Sequence, residues 1–511
     1  MRDILAHRAA AAALALTCLA ASSSPLATTS PSSDRAIVHV LNRVGFGPRQ
    51  GDVAAVRALG IERYLEQQLR PERIADVGID ARLAKLTTVT LSGEQILEQF
   101  ERPEMEARRE RQLKATANGT DGQEPRPSME EMRRANLVID ELTEQKLLRA
   151  VYSERQLQEV LADFWFNHFN VDMRKGRDRF LLTEYEREAI RPHVLGKFRD
   201  LLEATAKSPA MLFYLDNWMS VDPATVRTDE RDMRRPENRM KQGLNENYGR
   251  ELMELHTLGV DGGYTQKDVT EVARAFTGWT MGGPRQGNGY LFDARHHDRG
   301  EKTVLGHRIK AGGGEEDGQQ VLDILAKHPS TARFIATKLA RRFVSDTPAA
   351  ALVGRVASRF IETDGDIREV MRALLTSSEF LAPESYRAKV KTPFEFLVSA
   401  VRATGAEVSD ARPLLRTLQQ LGMPLYACQP PTGYKDTADA WVNTGALLSR
   451  MNFALSLTSG RLRGLAVDPQ LPIAWVLNGE ASETTLATIA KATTAPQMGA
   501  LTLGSPEFQR R

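Results

Sequence analysis

The chain has 511 residues, 41% hydrophobic and 26% charged, the composition of an ordinary globular protein. Its 68 Lys plus Arg stand against 66 Asp plus Glu, a formal net charge of +2, which excludes a strongly basic nucleic-acid binder and an acidic disordered tail. Two cysteines exclude a disulfide scaffold and any all-cysteine metal site.

Residues 1–27 read as a signal peptide. Arg2 and Arg8 give a short basic start, and the apolar run Ala9–Ala21 is well short of the ~20 residues that cross a bilayer. The small residues of Ser22–Ser30 supply a cleavage site, expected between Ala21 and Ala27. Thr17 before Cys18 argues against a lipidated cysteine, and the lack of paired arginines argues against a twin-arginine signal. The expected location is therefore periplasmic or secreted. Cleavage removes Arg2, Asp3 and Arg8 and leaves a net charge of +1. Only Cys428 then remains, so the mature chain forms no internal disulfide and holds by packing alone. No later segment carries an apolar run of membrane-spanning length. Length by itself suggests about three domains or one large helical body.

Most of the mature chain has helical periodicity, which predicts a mainly α, multi-helix fold with a small β-hairpin element. From Glu101 to Arg134 a charge-dense stretch around Asn118–Gly122 reads as a solvated helical arm and loop. Leu137–Phe169 repeats apolar residues at spacings of three and four. Asp222–Gly243 is a polar, Arg-rich connection. Thr265–Asp268 forms a capping box, with Val269, Val272, Ala273 and Phe276 as the buried stripe behind it. Tyr290–Phe292 and Thr303–Leu305 are expected to pair as one small hairpin. Pro329 opens a helix through Phe334, Leu339 and Phe343, and Asp366 leads into another through Val370, Met371, Leu374 and Leu375.

Several chemistries lack their spacing. No His-Glu-x-x-His helix, Gly-x-Ser-x-Gly elbow or phosphate-cradling glycine–lysine loop is present. Gly45-Phe46-Gly47 with Gly51 misses the dinucleotide fingerprint by one residue and reads as a turn. Cys428 has no basic neighbour and reads as a buried, inert thiol.

The densest polar cluster is Asn245–Gly259. Asn245 is placed to cap a helix and Gly259 to stop it, with Leu244, Tyr248, Leu252 and Leu255 as the apolar face. Asn247, Glu251 and Glu254 run beside that face, and Arg250 is four residues from Glu254, within pairing reach. Two carboxylates three residues apart, flanked by an amide and a guanidinium, suit general acid and base work, because like charges push their proton affinities apart. The same spacing also describes a solvated, ion-paired helix face. Asn245, Asn247 and Gly249 are poor helix formers in a helix start, which favours the functional alternative. His256 ends the segment. His296-His297-Asp298, Asn167-His168 and Trp279 lie elsewhere in the chain as further candidates. Glu251, Glu254, His256 and His297 offer donors of transition-metal type without a diagnostic spacing, so any cofactor stays unknown. His168 reads first as a buried histidine hydrogen-bonded by backbone and second as a ligand, and Trp279 as a sugar platform or as core.

Leu41–Pro48, Phe164–Phe169, Asn245–Gly259, Val260–Thr265, Ala275–Thr280, His297-Asp298 with Lys302–Gly306, and Pro430–Tyr434 together resemble the bacterial family called domain of unknown function 1800. The resemblance spans almost the whole mature chain. It implies one family unit over 34–511, with the 101–134 arm as a variable insertion. It also implies an exported protein, often encoded beside a sulfatase-like family, and brings no assignment of catalytic residues.

The residues lead to an expected function as an exported hydrolase or lyase using acid/base carboxylates on a polysaccharide. Glu251, Glu254 and His256 are the catalytic candidates. Asn247, Arg250, Trp279, His297, Asp298, Asn167 and His168 are the substrate-binding ones. The alternative is a non-catalytic binding or assembly protein acting with a sulfatase-like partner. Neither reading involves nucleic acid or a membrane span.

Overall fold

The computed structural model describes residues 33–117, 126–226, 243–283, 287–468 and 474–511. Residues 1–32 with Cys18, which include the segment expected to be a signal peptide, the centre of the charged arm and most of the Asp222–Gly243 connection lie outside them. The architecture is mainly α. Helices from Asp34–Arg43 to Pro506–Gln509 pack around one apolar core that runs from Ile37 to Phe508. Among the described residues, no helix is long and apolar enough to cross a membrane.

The long Leu137–Phe169 pattern resolves into two helices, Met129–Tyr152 and Gln156–His168. Ser153 ends the first and Arg155 caps the second, so the chain turns between them and both apolar faces meet the core. Trp165 on the second helix is fully buried, and its indole Nε1 donates to Val194 O at 3.2 Å. The arm begins as the helix Arg102–Ala117, where Ala115 is the one buried residue. A small satellite cluster of Ile96, Val138 and Phe180 lies apart from the main core.

The Thr265 capping box is present. Thr265 Oγ1 accepts from Asp268 N, Asp268 Oδ2 accepts from Thr265 N, and Val269, Val272, Ala273 and Phe276 are buried behind it. Pro329–Phe343 and Ile367–Leu375 form as the pattern predicts, the second capped by Asp366.

The single hairpin needs correcting. Tyr290–Phe292 pairs antiparallel with Trp279–Met281, and Lys302–Val304 pairs with His307–Ile309. A third pair joins Glu407–Val408 to Leu465–Ala466. Leu305 and Gly306 both adopt positive φ, so the chain reverses right after Val304 and pairs with its own continuation. The strand at 290 turns to Trp279 instead, which is held between Phe276 and Tyr290.

Candidate functional site

A half-enclosed cavity of about 500 Å³ opens where separated parts of the chain meet, three of which supply most of its lining. The end of Gln156–His168 supplies Asp163, Phe164, Asn167 and His168. One stripe of the Pro329–Phe343 helix supplies Phe334, Lys338, Arg341 and Arg342, spaced i, i+4, i+7 and i+8 so that all four face the same way. The loop after Met423 supplies Thr432, Tyr434, Lys435, Asp436 and Thr437.

Asn167 fastens that loop to the helix. Its Nδ2 donates to Tyr434 O at 2.8 Å, and its Oδ1 accepts from Tyr434 N at 2.7 Å, so one amide satisfies both backbone groups of a single residue. Asn170 adds a second anchor, its Nδ2 donating to the carbonyls of Cys428 and Pro430. Gly433 sits at φ +71°, and a Cβ there would lie 2.2 Å from Asn167 O. Only glycine allows this approach.

His168 is buried, and its two ring nitrogens have different neighbours. Nε2 lies 3.0 Å from His256 O, and Nδ1 lies 2.8 Å from Lys338 Nζ. A carbonyl only accepts, so Nε2 carries the proton and Nδ1 presents its lone pair to the lysine. Burial first, then the Lys338 charge, push the His168 imidazole well below its ordinary value. Burial and then Arg341 bring the Lys338 ammonium down to about 8, against the opposing charge of Asp436. Near neutrality a fraction of Lys338 is therefore the free amine, hydrogen-bonded to a neutral histidine.

A buried charge network backs the cavity. Arg342 Nη1 reaches Glu395 Oε1 at 2.7 Å, and Arg511 Nη2 reaches the same oxygen at 2.9 Å. Burial alone would raise the Glu395 carboxyl, but these two guanidiniums outweigh it and hold it well below the carboxylate range. Asp163 pairs with Lys146 at 2.9 Å.

The Asn245–Gly259 segment begins as expected. Asn245 caps it by accepting from Asn247 N, and Gly259 ends it at φ +82°. Between them the chain changes winding. Glu246–Glu251 is α-helical, whereas Leu252–Thr257 is a wider turn in which Leu258 N donates to Met253 O five residues back. The extra residue rotates everything after it. His256 therefore takes the core position that straight periodicity assigns to Leu255, and Leu255 turns onto the cavity wall. Burial, then the nearby Lys338 charge, lower the His256 imidazole to about 3.

The same rotation corrects the Arg250 pairing. Arg250 lies 3.7 Å from Glu246 on its own α-turn and donates to Gln266 Oε1, while Glu254, past the wide turn, accepts from the Tyr264 hydroxyl at 3.2 Å. Burial, then the charge of Glu254, raise the Glu251 carboxyl. Neither Glu251 nor Glu254 lines the cavity. The poor helix formers have local structural work. Gly249 lets the segment approach Val269 O and Ala273 N, where a Cβ would lie at 3.2 Å, and the Asn247 amide donates to Leu215 O.

The remaining candidates gather elsewhere. His297 Nδ1 lies 2.8 Å from Thr277 O, and its Nε2 lies 3.1 Å from Asp317 Oδ2. Lys302 donates to Asp317 Oδ2, Asp298 O and Gly300 O, while Arg274 chelates the Asp298 carboxylate. Trp279 is fully buried and forms core, not an exposed platform. Glu251, Glu254, His256 and His297 do not converge. Among the described residues, no group of three or more His, Cys, Asp or Glu side chains is placed to hold a metal ion. Cys428 is buried, and burial pushes its thiol up to about 11, as suits an unreactive cysteine.

Of the sequence candidates, Asn167 and His168 therefore reach the cavity and His256 supports it through its carbonyl. Sequence reasoning missed Lys338, Arg341, Arg342, Lys435 and Asp436. Their only signals were the i, i+4, i+7, i+8 stripe after Pro329 and the proximity of Pro430–Tyr434.

The fold and cleft define a class: an α-helical protein with a cation-lined cavity built from segments far apart in the chain. Over residues 39–510 the chain matches the family described as protein of unknown function (DUF1800), and it belongs to that family. No curated protein and no solved structure matches it.

Proposed function

We propose that this chain is an exported hydrolase or lyase acting on a polysaccharide-type substrate, with proton transfer centred on Lys338 and His168. The observation that carries this reading is the 2.8 Å contact between Lys338 Nζ and His168 Nδ1 in the wall of the cavity. A lysine at about 8 supplies both an amine that takes a proton and an ammonium that returns it. The His168 Nδ1 lone pair orients that amine, and the bond from Nε2 to His256 O keeps the ring in the tautomer this requires. The carboxylates Asp163 and Asp436 line the same space, whereas Glu251 and Glu254 lie outside it.

The test is a panel of polysaccharides, scored for new reducing ends and for unsaturated ends. Wild type and a Glu251→Gln, Glu254→Gln double variant are expected to act alike, and Lys338→Met to be inactive. An active Lys338→Met, or an inactive but folded double variant, removes the proposal.

One observation favours a second reading, a binding or assembly protein working with a sulfatase-like partner. On and beside the helix Thr444–Thr458, the large apolar side chains of Val442, Leu447, Leu448 and Leu455 are exposed. Co-purification of such a partner, lost on Leu448→Asp, would support that reading.

A further inference from the structure

Four cationic side chains, Lys338, Arg341, Arg342 and Lys435, line the cavity against two carboxylates, Asp163 and Asp436. Both carboxylates already have cations outside the lining. Asp163 has Lys146 at 2.9 Å, and Asp436 has Lys389 at 3.6 Å and Arg511 at 3.9 Å. Arg342 has Glu395 at 2.7 Å and Asp436 at 3.7 Å, and Lys435 has Asp439 at 3.8 Å, so the wall's uncompensated positive charge rests on Lys338 and Arg341.

The guanidiniums also have unused donors. Arg342 is buried and its Nη1 is bound to Glu395, yet its Nε and Nη2 have no hydrogen-bond partner. Its Nη2 lies 3.8 Å from Asp163 Oδ2, too far for a hydrogen bond. Arg341 gives Nε to the Asp346 carbonyl at 3.2 Å, and Lys338 gives one donor to His168. Neither Arg341 nor Lys338 forms an ion pair among the described residues. A buried guanidinium with idle donors is costly unless a ligand completes it, and the planar fork matches an oxyanion.

We propose that Arg341 and Arg342, with Lys338 beside them, form a subsite for the acidic group of an anionic sugar oligomer, its charge carried by carboxylate or sulfate. The choice of sugar rests on the polysaccharide reading above. The oxyanion itself follows from the unpaired charges of Lys338 and Arg341 and the idle donors of Arg342. Arg341, at the partly exposed rim, meets the group first, and the donors of Arg342 receive it at the back. Asp163 and Asp436 stay with their own cations, so they do not repel it. A neutral oligomer leaves the same donors unfilled.

Calorimetric titration of the full chain tests this with oligogalacturonate, a sulfated galactan oligomer and a neutral cello-oligomer. One acidic oligomer is expected to bind with 1:1 stoichiometry and more weakly as salt rises. Whichever of the two binds identifies the charged group. Arg341→Gln should weaken binding at least tenfold, and Lys338→Met severalfold, with unfolding curves confirming that both variants fold. Failure of both acidic oligomers to bind overturns the proposal. Equal binding of the cello-oligomer, or wild-type affinity in both variants, overturns it too. Binding without turnover by any wild-type preparation keeps the subsite and removes the enzymatic reading. Turnover of neutral chains alone does the reverse.

Discussion

Two buried clusters in this molecule each combine histidine, lysine and aspartate, and they differ in compensation. In the His297 cluster, Lys302 has three oxygen acceptors, Asp317 Oδ2 faces both a lysine and a histidine, and Asp298 is chelated by Arg274. Lys302 and Asp317 are sealed from solvent. In the cavity, Lys338 has a single neutral partner and no ion pair among the described residues, and the space beside it is open. The residue types match. The first arrangement holds a loop in place, and the second leaves a charged group free to meet a ligand.

This contrast sets the variants that test it. The largest effect is expected from Lys302→Met, which leaves Asp317 as a buried charge without its ammonium. Breaking one half of such a pair costs about 3–5 kcal/mol, visible as a lower denaturant midpoint. An unchanged midpoint would mean that the cluster is not the structural clamp described.

Next comes Gly433→Ala, which forces a side chain into left-handed backbone and against Asn167 O. A cost of about 1–3 kcal/mol is expected, together with faster hydrogen exchange in the loop from Met423 to Thr437. A loop that stays protected would break the claim that Asn167 positions it.

The acid limb of stability follows from His256. Its folded value of about 3 lies below the ordinary 6.5, so between these the unfolded chain binds a proton that the folded chain refuses. Stability therefore falls as pH drops from 6.5 toward 3, by up to about 1.4 kcal/mol per pH unit from this group. His256→Phe should flatten that limb in a pH series of unfolding curves. An unaltered slope would contradict a neutral His256.

The smallest stability effect belongs to Lys338→Met. It removes a partly desolvated cation that has no ion pair, so the change should stay within about 1 kcal/mol of zero, far from the Lys302 result. A loss as large as that of Lys302→Met would erase the distinction between the two clusters.

Much of the fold was legible in the sequence because its signals are local. The Thr265 box, the Asn245 cap and the Gly259 stop are written within four residues and appear as read. The hairpin was misread because Thr303–Leu305 and Tyr290–Phe292 offered each other suitable apolar strands, while the turn at Leu305-Gly306 gave the first of them a nearer partner. The wide turn at Leu252–Thr257 could not be read. Nothing in the 3.6-residue period announces an i→i+5 bond, yet that bond decides that His256 is buried and Leu255 faces the cavity.

The cavity was legible only in part. Asn167 and His168 stood out as polar groups in an aromatic helix end. Lys338, Arg341 and Arg342 looked like the solvated side of an ordinary helix, and the contact that gives Lys338 its chemistry spans 170 residues. Local spacing finds charged residues, but only the fold shows which of them lack a partner.

The most direct test of the open, low-affinity ammonium at Lys338 is its acylation rate against pH, followed residue by residue by mass spectrometry. Lys338 should react as a half-titrating amine near pH 8, slowed by a bound acidic oligomer, while Lys302 stays unmodified in the folded protein. A Lys338 that resists modification, or that reacts only at the pH of ordinary surface lysines, would contradict the account.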